Sequence, residues 1–338
     1  MKYRSLLTIY FISISTIWSQ NNPCYQNKRM CDRKYSVNCY DKVSYDTDKD
    51  TYYSKGDFSL TFDGTCETCY RNGVLQERVT IKNGKRDGSD TSFFQSGCVQ
   101  SVQAFVMGKM NGMNTVYFDS TGRIERQVSY LLGKLNGKSL WYERSGDTIA
   151  LKSYLNDVQH GEQRDYYPGG KIYKIVNYQN GLLNGSHKTF DRNGKIEVDL
   201  SYKAGKKNGK WVYYHLNGKE AKIENWDSGL KNGLFVFSDD QGQLVKKESY
   251  KKDVRDGTFL ENYSTGKMKH QTIYKDGVII NEIKIDDYGV QVYKFDLAEQ
   301  KAKAKADKQK VTDKKEGEDD DIQDVIDEKN NKKKKKKN

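Results

Sequence analysis

Apolar and polar residues alternate along most of this chain with a period of two. Ile196, Val198, Leu200 and Tyr202 fall on one side and Glu197, Asp199 and Ser201 on the other, the pattern of a strand with one buried face. Glycine interrupts the alternation at fixed intervals. The second glycines of successive G-x-x-x-G steps are Gly88, Gly112, Gly137, Gly161, Gly185, Gly209, Gly233 and Gly257, a spacing of 24 with a single step of 25. A second series, Gly73, Gly97, Gly122, Gly146, Gly170, Gly194, Gly218, Gly242 and Gly266, keeps the same beat. A strand-turn-strand unit this short cannot bury its apolar face alone and must stack on its neighbours. The predicted fold is therefore all-β, an elongated single-layer antiparallel sheet of tandem 24-residue β-hairpins.

Most of these glycines follow Asn or Asp, as in Asn111-Gly112, Asn184-Gly185, Asn193-Gly194, Asn232-Gly233 and Asp256-Gly257. Such pairs favour the type I′ turn, so each is expected to mark a tight hairpin. The first glycine of the G-x-x-x-G step is replaced twice, by Asp157 and Asp253. Asp tolerates the left-handed region, so both positions are expected at positive φ. A phosphate cradle needs a helix behind its glycines, and no helical period follows any of these. Eight residues after each glycine of the second series stands an apolar or aromatic residue: Ile81, Phe105, Tyr130, Tyr154, Tyr178, Tyr202, Trp226, Tyr250 and Tyr274. Stacked repeats turn that column into a ladder of rings. A second aromatic set includes the doublets Trp141-Tyr142, Tyr166-Tyr167 and Tyr213-Tyr214. Neighbours on a strand point to opposite faces, which makes these six residues the candidate binding face.

The unit Tyr202, Gly205, Gly209, Trp211, Tyr213, Tyr214, Gly218, Lys219 resembles the MORN-repeat-variant family, and the resemblance covers roughly residues 70–296. It implies an elongated antiparallel sheet used for contact with other proteins or with membranes. Bacterial members are often labelled antitoxin-like, which implies neutralisation of a toxin or effector as an alternative function.

The ends of the chain differ from the middle. Met1 to Arg4 followed by the apolar run Leu6–Trp18 resembles a secretory leader over residues 1–20, too short to span a bilayer. All six cysteines, Cys24, Cys31, Cys39, Cys66, Cys69 and Cys98, lie in the first 98 residues. In an exported segment they read as a disulfide framework whose pairing the sequence leaves open. Cys66-Glu-Thr-Cys69 lacks the second pair of a zinc site and the βαβ setting of a dithiol catalyst. Residues 21–69 are expected to form a cysteine-rich cap on the array. From residue 297 the composition shifts to 14 Lys against 11 Asp or Glu with no aromatic residue. That 297–338 tail cannot bury enough apolar surface to pack, although a solvated helix fits near residues 301–310.

Net charge is +12. Export removes nucleic acid as the partner of the Lys332–Lys337 run, leaving an anionic envelope polymer or surface. The four histidines, His160, His187, His215 and His270, sit at different phases of the repeat, so no nucleophile-base pair or metal cluster is expected. No cofactor, no metal and no catalytic residue are expected, and an envelope hydrolase has no supporting residues. The reading is an exported, non-enzymatic protein-binding or scaffold surface without a membrane span in its mature form.

Overall fold

The computed structural model describes residues 30–31 and 39–310. The expected leader, Cys24 and the Lys332–Lys337 run lie outside the described residues. The chain divides after Lys206 into two units.

In the first unit a short helix, Cys39–Lys42, leads into a three-stranded antiparallel sheet of Val43–Asp46, Thr51–Ser54 and Asp57–Thr61. Val43, Cys66, Val79 and Ile81 form a small core with Cys39, Tyr52 and Phe62 packed on it. Two disulfides tie this cap down, Cys39–Cys66 and Cys31–Cys69, and Cys98 is disulfide-bonded as well. Gly64–Cys69, which the sequence groups with the cap, pairs with Leu75–Lys82 as the first hairpin of the array. The cap also grips the next turn: Tyr52 N–H donates to Gly84 O (2.8 Å) and Gly84 N–H to Phe62 O (3.0 Å). A Cβ at Gly84 would lie 2.8 Å from Tyr52 O, so only glycine fits there.

Each repeat then follows one plan. An eight-residue strand such as Thr148–Leu155 turns into a two-residue strand, Val158–Gln159, and continues as a six-residue strand, Gly161–Tyr166. The tight turns are not at the Asn-Gly and Asp-Gly pairs that end the G-x-x-x-G steps. Both central residues have positive φ one step earlier, at Asn83-Gly84 (51° and 71°), Met107-Gly108 (49° and 80°) and Asn156-Asp157 (50° and 69°). Each is a two-residue type I′ hairpin, closed for instance by the pair Lys82 and Lys85. Asp157 and Asp253 (67°) do stand at positive φ. Their carboxylates also accept the N–H of Leu135 and Lys231, both at 2.7 Å, from the preceding repeat.

The Asn or Asp before the second glycine reaches forward instead. Its side chain accepts the N–H of the next turn's first left-handed residue: Met107 to Asp87 (3.2 Å), Leu132 to Asn111 (3.1 Å) and Ala204 to Asn184 (3.1 Å). The other glycine series closes wider turns, as where Gly146 N–H donates to Glu143 O (2.9 Å) and Glu143 N–H to Asp147 O (2.8 Å). Gly146 there has φ 101°, the position after a type I turn that forms a G1 bulge.

The second unit repeats the plan in Gly209–Tyr214, Glu220–Asp227, Leu230–Lys231, Gly233–Ser238, Leu244–Lys251, Val254–Arg255, Gly257–Asn262, Met268–Lys275, Val278–Ile285 and Gln291–Asp296. The same forward bonds recur, Ser228 N–H to Asn208 and Lys252 N–H to Asn232, both 3.4 Å. Residues 297–310 are helical and exposed from Ala298 onward.

Candidate functional site

A single sheet layer has no second layer to cover its apolar face, so side chains on the sheet must cover one another. In the second unit they do so in a zigzag of rings. Trp211, Trp226, Phe235, Tyr250, Phe259 and Tyr274 follow one another at centroid separations of 6.1, 5.4, 5.3, 5.3 and 4.9 Å, the last four contacts edge to face. They come from two register positions, the column eight residues after one glycine series and the residue two after the other. Gly209 opposite Trp226 and Gly233 opposite Tyr250 show why they meet. A glycine across the strand leaves room for the ring to lean toward its diagonal neighbour. Phe235 is 2% and Trp211 3% exposed.

Cations form the lid. Lys207 Nζ lies 4.2 Å from the Trp211 centroid and 4.1 Å from that of Trp226. Lys231 Nζ lies 5.4 Å from Phe235 and 4.6 Å from Tyr250. Arg255 lies 5.4 Å from Phe259 and 5.3 Å from Tyr274, whose hydroxyl accepts its Nη1–H at 2.9 Å. All three are the third residue of a G-x-x-x-G or D-x-x-x-G step, so they recur once per repeat. Their charged ends lie over the ring faces, an arrangement worth about 0.5–1 kcal/mol per stacked cation at exposed sites.

A second row of cations on this unit is neutralised. Lys222 pairs with Glu224, and Lys246 pairs with Glu248 at 2.6 Å. Glu224 also accepts from Trp226 Nε1 (3.0 Å) and Glu248 from the Tyr250 hydroxyl (3.2 Å). Among the described residues Lys207, Lys231 and Arg255 make no ion pair with a carboxylate. A hollow of about 180 Å³ opens beside Arg255, lined by Lys246, Glu248, Phe259, Glu261 and His270 among others.

In the first unit the same ladder alternates rings with polar groups. The positions corresponding to Trp211, Phe235 and Phe259 hold Asp90, Asn114, Ser139, Gln163 and His187, between Phe105, Tyr130, Tyr154, Tyr178 and Tyr202. Asp90 and Asn114 accept backbone N–H groups, Thr80 at 2.9 Å and Ala104 at 3.1 Å. Ser139 Oγ, Gln163 Nε2 and His187 Nδ1 are buried without a hydrogen-bond partner. Burial, with a smaller contribution from the Lys174 charge, holds the His187 ring below its ordinary pKa. The cations lying on the rings of the second unit have one counterpart here, Arg86, which ion-pairs with Asp90 (3.2 Å) and Glu77 (3.4 Å).

The six ring residues of the candidate binding face are all half-buried. Trp141 lies under Lys152 (5.3 Å) and Tyr213 under Lys222 (5.1 Å). Tyr142 donates to Gln127 (3.4 Å), Tyr167 donates to Phe190 O (3.0 Å), and Tyr214 stands opposite Glu220. Tyr166 stands opposite Ile172, just after a bulge. Trp141 and Tyr213 each fall four residues after the glycine that opens their strand, Gly137 and Gly209, whereas Tyr166 falls five after Gly161.

Of the histidines, His270 has the fullest set of partners. Its Nε2 lies 2.9 Å from Glu282 Oε1 and 3.1 Å from Thr272 Oγ1. Both partners address the same ring nitrogen, so the group cannot relay a proton from one to the other as a nucleophile-base-acid set does. Among the described residues no three His, Cys, Asp or Glu side chains converge as metal ligands.

The MORN repeat variant model matches at residues 159–180, 183–204 and 255–276. These three stretches are MORN repeat variants. The matched MORN units carry the ladder itself. The one at 255–276 contains Arg255, Phe259 and Tyr274, whereas the one at 159–180 contains Gln163 and Tyr178. The MORN scaffold is thus common to both ladders, and the side chains laid on it differ. No curated protein matches the chain. Among solved structures, the TCP10 domain of Danio rerio CPAP in complex with a peptide of Danio rerio STIL is similar over 69% of this chain and 99% of that chain, at 14% identity and a TM-score of 0.25. A Tc holotoxin pore of Photorhabdus luminescens is similar over 72% of this chain and 16% of that chain, at 12% identity and a TM-score of 0.16.

Proposed function

We propose that this chain is an exported, non-enzymatic MORN-repeat protein that acts as a binding surface, and that the 207–274 face makes the contact. The observation that carries this reading is the row of Lys207, Lys231 and Arg255, held on buried rings and left without a carboxylate partner. An ion pair would be the cheap way to settle such cations, as Lys222 and Lys246 are settled one column away. Held by ring stacking instead, they present fixed positive charge that an acidic protein segment complements, with rings beneath to lend apolar contact. MORN repeats generally mediate protein interactions. The disulfides are compatible with export, since such bonds persist in oxidising compartments. No helix among the described residues is long and apolar enough to cross a membrane.

The test is capture of partners from the producing cells and their medium by the full chain and by the triple variant Lys207→Gln, Lys231→Gln, Arg255→Gln. The expected result is at least a tenfold loss of the main captured protein, with the loss also produced by 0.5 M salt. Equal capture by the two proteins would refute the assignment of the face.

A further inference from the structure

The same chain carries a segment whose charge pattern matches this row. Residues 316–328 hold eight Asp or Glu and no Lys or Arg, and Glu318, Asp321, Asp324 and Asp327 recur at every third position. Lys207, Lys231 and Arg255 recur once per two-strand repeat. Strands stand about 4.7–4.9 Å apart, so the cations are spaced by roughly 9.4–9.8 Å across the strands. Three residues of an extended or polyproline II chain rise about 9.3–10 Å. A carboxylate at every third residue of an extended chain therefore keeps step with a cation in every repeat.

Chain length and strand order also bear on this. The 14-residue helix 297–310 is about 21 Å long. The eight peptide steps from Lys310 to Glu318 extend up to about 28 Å. Gln291–Asp296 pairs with Val278–Ile285, which pairs with the Met268–Lys275 strand bearing Tyr274, so the near end of the ladder is roughly 10 Å from the final strand. Of the three cations Arg255 is thus the nearest to the final strand and Lys207 the farthest from it.

We propose that residues 316–328 lie across the strands of the 207–274 face, with Glu318 at Arg255, Asp321 at Lys231 and Asp324 at Lys207. The chain then supplies its own acidic occupant, which an external partner must displace, so affinity for that partner is set by competition. This rests on the reading of the face as a binding surface, but it is tested without any partner.

The experiment is zero-length carbodiimide cross-linking of the full chain at micromolar concentration, as an equal mixture of ¹⁴N and ¹⁵N protein, read by peptide mass spectrometry. Links from the 318–324 carboxylates to Lys231 and Lys207 are expected in peptides of a single isotope, falling several-fold in 0.5 M NaCl. Mixed-isotope links would show a second copy as the occupant. Links confined to Lys332–Lys337 would show the tail neutralising itself. Either result overturns the proposal, as does the absence of links to the face. A second readout uses Glu318→Gln with Asp321→Asn, Asp324→Asn and Asp327→Asn, changes outside the folded repeats. Acetylation of Lys207 and Lys231 by limiting reagent should accelerate at least threefold, and an unchanged rate would also overturn it. Docking without any effect on partner capture would sink the function of the face and leave this inference standing.

Discussion

Asp90 stands at the ladder position that Phe235 and Phe259 occupy elsewhere, and it is 3% exposed. Burial pushes its carboxyl up to about 6 from an ordinary 3.8, against the lowering effects of the Thr80 N–H and Arg86. A folded-state pKa above the unfolded one means that the fold prefers the protonated acid. The associated stability is fully present below about pH 4 and is lost as pH rises through 6. The span of 6 minus 3.8 amounts to about 3 kcal/mol at most, at 1.36 kcal/mol per pKa unit. Asp90→Asn keeps an oxygen for the Thr80 N–H and removes the ionisation. At pH 7.5 the variant should unfold at a higher urea concentration than the wild type, the stability gap being up to about 3 kcal/mol with the Arg86 ion pair already counted in the shift. By pH 4 the two should converge. Far-ultraviolet circular dichroism through urea titrations at pH 4, 5.5 and 7.5 measures this. A variant less stable than wild type at pH 7.5, with a gap unchanged at pH 4, would show that the Arg86–Asp90 pair outweighs desolvation.

Phe235→Ala should destabilise the second unit by about 3–5 kcal/mol, because it empties the middle of the ring ladder, while Phe235→Leu should stay within about 1.5 kcal/mol; Trp211 and Trp226 fluorescence in denaturant reports both, and equal effects would mean the ring is not packed as described. Asp253→Gly relieves a left-handed residue but removes the acceptor of Lys231 N–H, so the change should stay within about 1 kcal/mol, whereas Asp253→Val should lose about 1–3 kcal/mol. Hydrogen exchange of the 231–255 amides separates the two variants, and equal protection would refute the backbone argument.

The sequence by itself determined the hairpin array. Its glycines mark places where an L side chain meets a left-handed backbone, and its period of two marks buried faces; both are local constraints written one residue at a time. The positive φ of Asp157 and Asp253 follows from the same local rule. The rest depended on partners distant in sequence. Asn111, Asn184 and Asn232 read as turn formers, yet their side chains accept N–H groups 20 or 21 residues onward, where stacking brings the next turn alongside. The cysteines gave a framework without a pairing, because pairing depends on where the cap folds back over Gly64–Cys69. Nothing in the alternation of apolar and polar residues marks Lys207, Lys231 or Arg255. Their register was visible as a 24-residue beat, but only hairpin geometry placed them over the rings, and only the positions of the carboxylates decided which cations remained without a charge partner.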